Sequence, residues 1–473
     1  NFANDVILPR KLYSTPSSIL ISSLSRLPFQ QIHESTSSFS FIEKYACPDL
    51  GMVIGPLSPF TLTYSKDFSK TFLMSRFSCV TVYSGILFIF NVSVFIMIVF
   101  VIGSGAREHA ICRLINKSEF SEKLTCIPGN YGISKIAKCI NLDNSEDILA
   151  YCLQNKPDLV IIGPEKYLAE GMADELRNHN ILVFGPGRQG AQLESSKDYM
   201  KNFCKKYDIA TAYSETFTNL DESIEFVRSR PGKIVVKYDG LAAGKGVFVC
   251  ENTIEAEEAC KKIFIEKIFS DNNTIIIEDF IEGKELSYFV LIDDNSYQTF
   301  GSAQDYKRIG DSDTGPNTGG MGTISPAPIL DTSLEKKIID NIVLRSVEGI
   351  QKELIEFKGV LFLGIMVDEV TKEPKLLEYN TRFGDPEIQS ISMRLTSDFL
   401  SLVHSVATNN LAYSDIKFNE FEKSICLILA TQGYPENYPK NTIINNLDSF
   451  NGSEDFFIFH AATYQDEELV KTN

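Results

Sequence analysis

Val235-Val236-Lys237-Tyr238-Asp239-Gly240-Leu241-Ala242-Ala243-Gly244-Lys245-Gly246-Val247 is the stretch on which the fold turns. An apolar strand runs into a loop of glycines and alanines and leaves it through a second apolar run. Small residues let the backbone approach an anionic ligand closely, and their N–H groups can wrap phosphate oxygens. Lys237 enters from the strand and Lys245 from the loop tip, so two cations face one triphosphate. The order G-x-x-x-x-G-K-[ST] is absent, which excludes a Walker loop. A plain glycine-rich hairpin would account for the glycines but not for the two lysines.

Upstream, Met97-Ile-Val-Phe-Val-Ile-Gly103 is followed by Ser104-Gly105-Ala106-Arg107-Glu108-His109. A strand feeding a Gly-x-Gly turn and then a helix opens a phosphate- or dinucleotide-binding βα unit. Further strands are expected at 124–127, 158–162 and 181–184, with helices near 107–116, 145–154 and 168–178. That alternation predicts an N-terminal parallel-sheet, Rossmann-like domain. From about Gln192 to Glu420 the strands lengthen and pair, 234–237 with 247–249, 275–280 with 286–293 and 360–368 with 375–380. The fold class expected is therefore α/β and α+β multidomain, with a nucleotide-clamping unit after the parallel sheet.

Three further motifs carry chemistry. In Leu376-Leu377-Glu378-Tyr379-Asn380-Thr381-Arg382-Phe383-Gly384-Asp385-Pro386-Glu387, strand alternation puts Glu378, Asn380 and Arg382 on one side. A carboxylate and an amide oxygen two residues apart suit Mg2+, which takes few protein oxygens beside substrate phosphates. The adjacent guanidinium can neutralise an acyl phosphate. A solvated strand face is the plainer alternative, but it leaves the Gly-Asp-Pro-Glu that follows unexplained. Gln304-Asp305-Tyr306-Lys307-Arg308 precedes the glycine-rich run 311–322, which reads as a ligand-shaped loop or a mere surface loop. Glu278-Asp-Phe-Ile-Glu-Gly-Lys-Glu285 is a strand and turn able to offer backbone groups to a base and a carboxylate to a ribose.

Charge and cysteine usage exclude several classes. Residues 1–96 hold seven of the 45 Lys/Arg and five of the 62 Asp/Glu, so the remaining 377 residues carry 38 basic against 57 acidic groups. Such a surface disfavours nucleic acid, and no basic cluster relieves it. Ten cysteines are scattered without a C-x-x-C, as expected of thiols in a reducing, cytoplasmic setting. Five histidines without ligand spacing argue against a zinc hydrolase.

The two ends read differently from the middle. The run 79–102 is long and apolar enough to suggest a membrane span. Its last part, however, is needed as the first strand of the parallel sheet, so a membrane role is disfavoured. Residues 1–96 are expected to be an extraneous or targeting extension outside the fold. Residues 421–473, ending soon after the strand-like Phe456-Phe-Ile-Phe-His460, are expected to be an incomplete C-terminal domain.

Together these motifs resemble the ATP-grasp superfamily and, within it, the phosphoribosylamine–glycine ligases. The resemblance spans Met97 to Asn473. Its most specific carriers are Gly-Pro-Asn-Thr-Gly-Gly-Met-Gly at 315–322 and Arg-Phe-Gly-Asp-Pro-Glu at 382–387. It implies ATP-dependent joining of glycine to 5-phosphoribosylamine through a glycyl phosphate, with ATP and Mg2+ (or Mn2+) required. It also implies a substrate domain at 97–197 and an ATP-grasp domain at 198–420 with a lid at about 213–285. Carried over by position, Lys197, Lys237, Gly240, Ala243, Gly244, Lys245 and Gly246 would hold phosphates. Glu278, Phe280 and Ile281 would form the adenine hinge, with Glu285 on ribose. Glu378 and Asn380 would bind the metal. Arg382, Lys237 and Asp385 would act in catalysis. Gly105, Glu108, His109, Asp305, Gly319, Gly320, Met321, Gly384 and Pro386 would line the substrates, although His109 also fits a helix-packing role. Tyr238, Thr381 and Tyr306 depart from the usual motifs without removing a charge that ligation needs. Another ATP-grasp ligase or carboxylase, or a fragment that only binds nucleotide, is the competing reading. The oligomeric state is left open.

Overall fold

The computed structural model describes residues 96–242, 246–269, 274–312, 314–447 and 455–472 in full, and the backbone of 75–83 and 86–94. The expectation for 1–96 thus falls largely outside the described residues. Two compact units divide the chain, Asn1–Met97 with Glu119–Glu122, and Ile98–Ser118 with Lys123–Asn473. In the first, strand Ser75–Tyr83 pairs antiparallel with Ile86–Val94, with Ser75 opposite Val94 and Tyr83 opposite Ile86. Among the described residues no helix is long and apolar enough to cross a membrane.

The second unit opens with a five-stranded sheet in the order Lys138–Cys139, Ser121–Pro128, Met97–Gly103, Leu159–Ile162, Leu182–Phe184. Val99 lies opposite Leu159 and Leu159 opposite Leu182, both in parallel register. Residues 99–103 and 159–162 are buried throughout. Covering helices bury both faces of a parallel sheet, so its strands read as unbroken apolar runs. Gly103 turns the chain at φ +127°, and a Cβ there would lie 2.5 Å from the Glu108 side chain. Helix Ala106–Asn116 then starts at Gly105, whose N–H donates to Glu108 Oε2 at 2.6 Å. The sequence builds its own cap here.

A four-stranded antiparallel sheet follows, ordered Val247–Cys250, Ile234–Tyr238, Ile275–Asp279, Ser214–Phe217. Helices Leu220–Ser229 and Thr253–Phe264 contribute Val227, Ala256, Ala259, Cys260 and Ile263 to a core with Ile234, Val236 and Ile275. The larger sheet is six-stranded, ordered Pro374–Asn380, Gly359–Val367, Lys284–Ile292, Tyr297–Asp305, Gly322–Ser325, Ser424–Leu427. Its inner face meets helices Lys197–Lys206 and Leu344–Lys352 through Phe203, Val347, Tyr288, Leu363 and Tyr379.

Two expectations change. The segments near 275–280 and 286–293 do not form a hairpin. Ile275–Asp279 pairs within the small sheet, and Lys284–Ile292 pairs with Tyr297–Asp305 and Gly359–Val367. Both are buried apolar runs, and such runs lack the alternation that would name a partner. Gly283 makes the crossing at φ +157°, where a Cβ would lie 2.3 Å from the Val367 carbonyl oxygen. Residues 457–460 are likewise not strand. The His460 N–H goes to a side chain, the Nδ1 of His109, instead of a neighbouring strand.

Candidate active site

Helix Lys197–Lys206 begins beside the glycine-rich loop because Asp239 caps it. Asp239 Oδ1 accepts the Lys197 N–H at 2.6 Å and the Asp198 N–H at 3.2 Å. The Lys197 ammonium reaches the Gly240 carbonyl at 3.0 Å. Gly240 sits at φ +151°, and a Cβ there would press on the Tyr238 ring at 2.7 Å. The far side of the loop closes through Gly246, whose carbonyl accepts the Tyr238 N–H at 2.8 Å. Ala243, Gly244 and Lys245 lie outside the described residues.

Lys237 projects from strand Ile234–Tyr238 and is 6% exposed. Its ammonium pairs with Glu278 and lies 3.4 Å from the Leu377 carbonyl. Glu278 is therefore a buried ion-pair carboxylate, and its other oxygen takes Lys201 at 2.6 Å. Burial pushes its pKa up, but Lys237 and Lys201 outweigh that and hold it below the usual range. Burial pulls the Lys201 and Lys197 ammoniums down, against Glu278 and Glu378 respectively. Phe280 and Ile281 are half-buried, with the Lys233 ammonium 4.0 Å from the Phe280 ring.

Glu378 is the electrostatic centre. Burial alone would raise its pKa, yet Lys307, Lys237, Lys197 and Arg382 together lower it. Asn380, two residues on, is buried at the end of the same strand, Pro374–Asn380. An ionised carboxylate and an amide oxygen at that spacing fit a hard divalent cation that completes its shell with phosphates. Lys307 pairs with Glu285 at 2.7 Å; burial works against its ammonium, but Glu285, Glu378 and Asp305 raise its pKa overall. In this structure Glu285 is thus engaged by a lysine.

Arg382 leaves the strand and pairs with Glu194 at 2.9 Å and Glu165 at 3.5 Å. Asp385 accepts the Arg107 N–H at 3.3 Å and a bond from Gln389. Arg107 also bonds Glu108 at 2.6 Å and the Phe383 carbonyl at 3.2 Å. The turn Gly103–Glu108 and the motif 382–387 therefore lie side by side. Glu387 starts helix Glu387–Arg394, and Ser287 Oγ donates to it at 3.0 Å. A Cβ on Gly384 would lie 2.1 Å from Glu387 Oε2.

The loop 314–322 closes on the same region. Gly320 turns at φ +121°, where a Cβ would sit 2.5 Å from Pro386 Cδ and 2.8 Å from Asp305 Oδ1. Gly319 N–H donates to Tyr434 Oη at 3.2 Å, and Met321 N–H to the Tyr306 carbonyl at 2.8 Å. Burial first, then Glu387, raises the Asp305 carboxyl to about 8. His109 faces the segment 457–460. It is 2% exposed, its Nδ1 accepts the His460 N–H at 2.9 Å, and Phe457 and Phe459 stand edge-on to its ring. Burial, His460 and Arg113 lower its pKa to about 3, so it is neutral at pH 7.

Sequence reasoning gave no role to Lys201 or Glu194, and it placed Arg107 and Glu165 only within strand-end turns. Lys201 carries a signal of its own, lying four residues after Lys197 on the same helix face.

Among known families, the Phosphoribosylglycinamide synthetase N domain matches residues 97–194, and the Phosphoribosylglycinamide synthetase ATP-grasp (A) domain matches 195–388. The chain belongs to the phosphoribosylamine–glycine ligase family. A chloroplastic family member from Arabidopsis thaliana is 41% identical over 369 residues, covering 76% of this chain and 69% of that one. One from Brucella melitensis is 39% identical, covering 78% and 86%. The solved ligase of Thermotoga maritima superposes with TM-score 0.68 at 29% identity, covering 79% and 89%. A biotin carboxylase domain from Hydrogenobacter thermophilus, at 20% identity and TM-score 0.60, shares the fold. The glycine-rich loop 240–246 and the motif 382–387 both fall inside the ATP-grasp match of this ligase family, and the turn 103–109 inside its N-domain match.

Proposed function

We propose that this chain joins glycine to 5-phosphoribosylamine at the expense of ATP, giving glycinamide ribonucleotide, ADP and phosphate. The observation that carries this is the ring of cations around Glu378, made by Lys197, Lys237, Lys307 and Arg382. They converge from the helix beside the loop, the lid strand, the strand connection and the 382–387 motif. Lys237, Lys307 and Arg382 also pair with Glu278, Glu285, Glu194 and Glu165, and a triphosphate would draw these cations to itself.

A carboxylate resists attack by an amine until its oxygen becomes a leaving group. The γ-phosphoryl group moves to the glycine carboxylate, and ADP departs. The amine nitrogen of phosphoribosylamine then bonds to the acyl carbon, the C–O bond to phosphate breaks, and the nitrogen loses a proton. Lys197 and Lys237 hold the phosphates, and Arg382 steadies the acyl phosphate. Residues 105–108 and 385–386 place the amine-bearing substrate beside it. Closure of the 213–285 lid keeps water from the mixed anhydride. Glu378 and Asn380 would hold Mg2+ or Mn2+, which neutralises phosphate charge when bound. In this reading 97–197 is the substrate domain and 198–420 the ATP-grasp body, working in a reducing cytoplasm; the described cysteines are free thiols.

The test is ADP release coupled to a reporter, with ATP, Mg2+ and phosphoribosylamine, with and without glycine. Glycine-dependent turnover that Glu378→Ala abolishes is the expected result. ADP release driven instead by bicarbonate would favour a carboxylase and overturn this reading.

A further inference from the structure

Lys201 belongs to none of the motifs above, yet it is 7% exposed and fully engaged. Its ammonium meets Glu278 Oε2 at 2.6 Å, Thr211 Oγ1 at 2.9 Å and the Ala212 carbonyl at 3.3 Å. Thr211 and Ala212 accept hydrogen bonds from it, and Glu278 supplies the opposing charge. Among the described residues, Lys237, on the other carboxylate oxygen of Glu278, has one further polar contact, at 3.4 Å to the Leu377 carbonyl. The two lysines flank one buried carboxylate, Lys201 with two further acceptors and Lys237 with one that is more distant.

We propose that Lys201 is a positioning residue for ATP: it is the standing counter-ion of Glu278 and so frees the Lys237 ammonium for the nucleotide phosphates. This rests on the reading of Lys237 as a phosphate-binding lysine. A buried carboxylate stripped of its only cation is strongly destabilised. Without Lys201, Lys237 would have to choose between Glu278 and the triphosphate. With Lys201 in place, it can turn to the phosphates while Glu278 remains compensated. Lys201 also fixes the entry to the lid. Thr211 Oγ1 passes its proton to the Leu376 carbonyl at 2.7 Å, and Leu376 N–H bonds the Ala210 carbonyl at 2.8 Å. Leu376 is two residues before Glu378, so one ammonium ties the helix, the lid entry and the metal-side strand together.

The experiment measures ADP release by the full chain carrying Lys201→Met, Lys201→Arg or the pair Lys201→Met with Glu278→Gln. Lys201→Met should raise the KM for ATP by about tenfold or more, the size of one lost charge-assisted bond, and leave the KM for glycine within about twofold. Lys201→Arg, which keeps the charge, should recover most of the loss. Glu278→Gln added to Lys201→Met should lower the KM for ATP again, because nothing then detains Lys237. A fall in kcat with both KM values moving together, unrepaired by Glu278→Gln, overturns the proposal. If Lys201→Met does not fold, Lys201→Gln is measured in the same way. Lys237→Met separates the two readings. If it leaves the KM for ATP unchanged, the phosphate-site assignment itself falls. If it raises that KM while Lys201→Met does not, only the role of Lys201 falls.

Discussion

The Arg382 guanidinium forms an ion pair with Glu194 Oε1 at 2.9 Å, and the other oxygen of Glu194 takes the Thr381 N–H at 2.7 Å. One buried carboxylate thus fixes both the guanidinium and the backbone that presents it. Burial alone raises the Glu194 pKa, and Arg382 counters it. Lysine at 382 would keep a charge but concentrate it on one ammonium, where the guanidinium spreads it between Glu194 and Glu165. Arg382→Lys should lower kcat by about 100-fold, the scale for losing one transition-state donor, with the KM for ATP within about threefold. Steady-state kinetics at saturating glycine checks this. An unchanged kcat would reduce Arg382 to a structural tie.

Gly320 is the point where the loop 314–322 touches both Asp305 and Pro386. Alanine there meets a positive φ and two side-chain contacts under 3 Å. The loop must move, since neither a proline ring nor a buried carboxyl yields easily. Gly320→Ala should lower kcat/KM for glycine by about tenfold or more, while nucleotide binding measured by titration stays near wild type. Equal losses of both would place the loop on the nucleotide side instead.

Asp305 supplies a pH prediction of definite sign. Its carboxyl is raised to about 8 in the fold by burial and Glu387, from an ordinary 3.8. Between those values the folded chain holds a proton that the unfolded chain has lost. Its contribution to stability is full below about pH 4 and is lost as pH rises through about 8. Thermal melts from pH 5 to 9 should show the wild type falling relative to Asp305→Asn, which has no proton to lose. Parallel curves would mean that Asp305 is ionised throughout.

Much of this site was legible because its motifs are local. Gly103–His109 had to be a strand, turn and helix, since only glycine fits at φ +127° against Glu108. Strand alternation reaches only Glu378 and Asn380: the strand ends there, and Arg382 lies beyond it, where Glu194 and Glu165 face its guanidinium. What stayed hidden are partners distant in sequence. Lys201 and Glu278 are 77 residues apart, and Arg382 and Glu194 are 188 apart. Neither periodicity nor composition reports such a contact. The misread 275–280 pairing has the same origin, because a buried apolar strand carries no mark of its neighbour. Phe456–His460 is strand-like as an apolar run, yet Phe457 and Phe459 set their rings edge-on to His109.

His109 is the residue for which the two roles weighed from sequence make opposite predictions. Its pKa is lowered to about 3 by burial, His460 and Arg113, from an ordinary 6.5. The unfolded chain therefore binds the extra proton between those values. The stabilisation is full above about pH 6.5 and is lost as pH falls toward 3. Leucine would fill the space without titrating, but it would leave the His460 N–H without its acceptor, at a cost of about 1–3 kcal/mol. His109→Leu should lower the melting temperature at pH 7, flatten its decline below pH 6.5, and expose 455–463 to limited proteolysis. The KM for phosphoribosylamine should stay within about threefold, since a packing residue acts on the population folded and not on substrate contacts. A large rise in that KM with unchanged melting would assign His109 to the substrate instead.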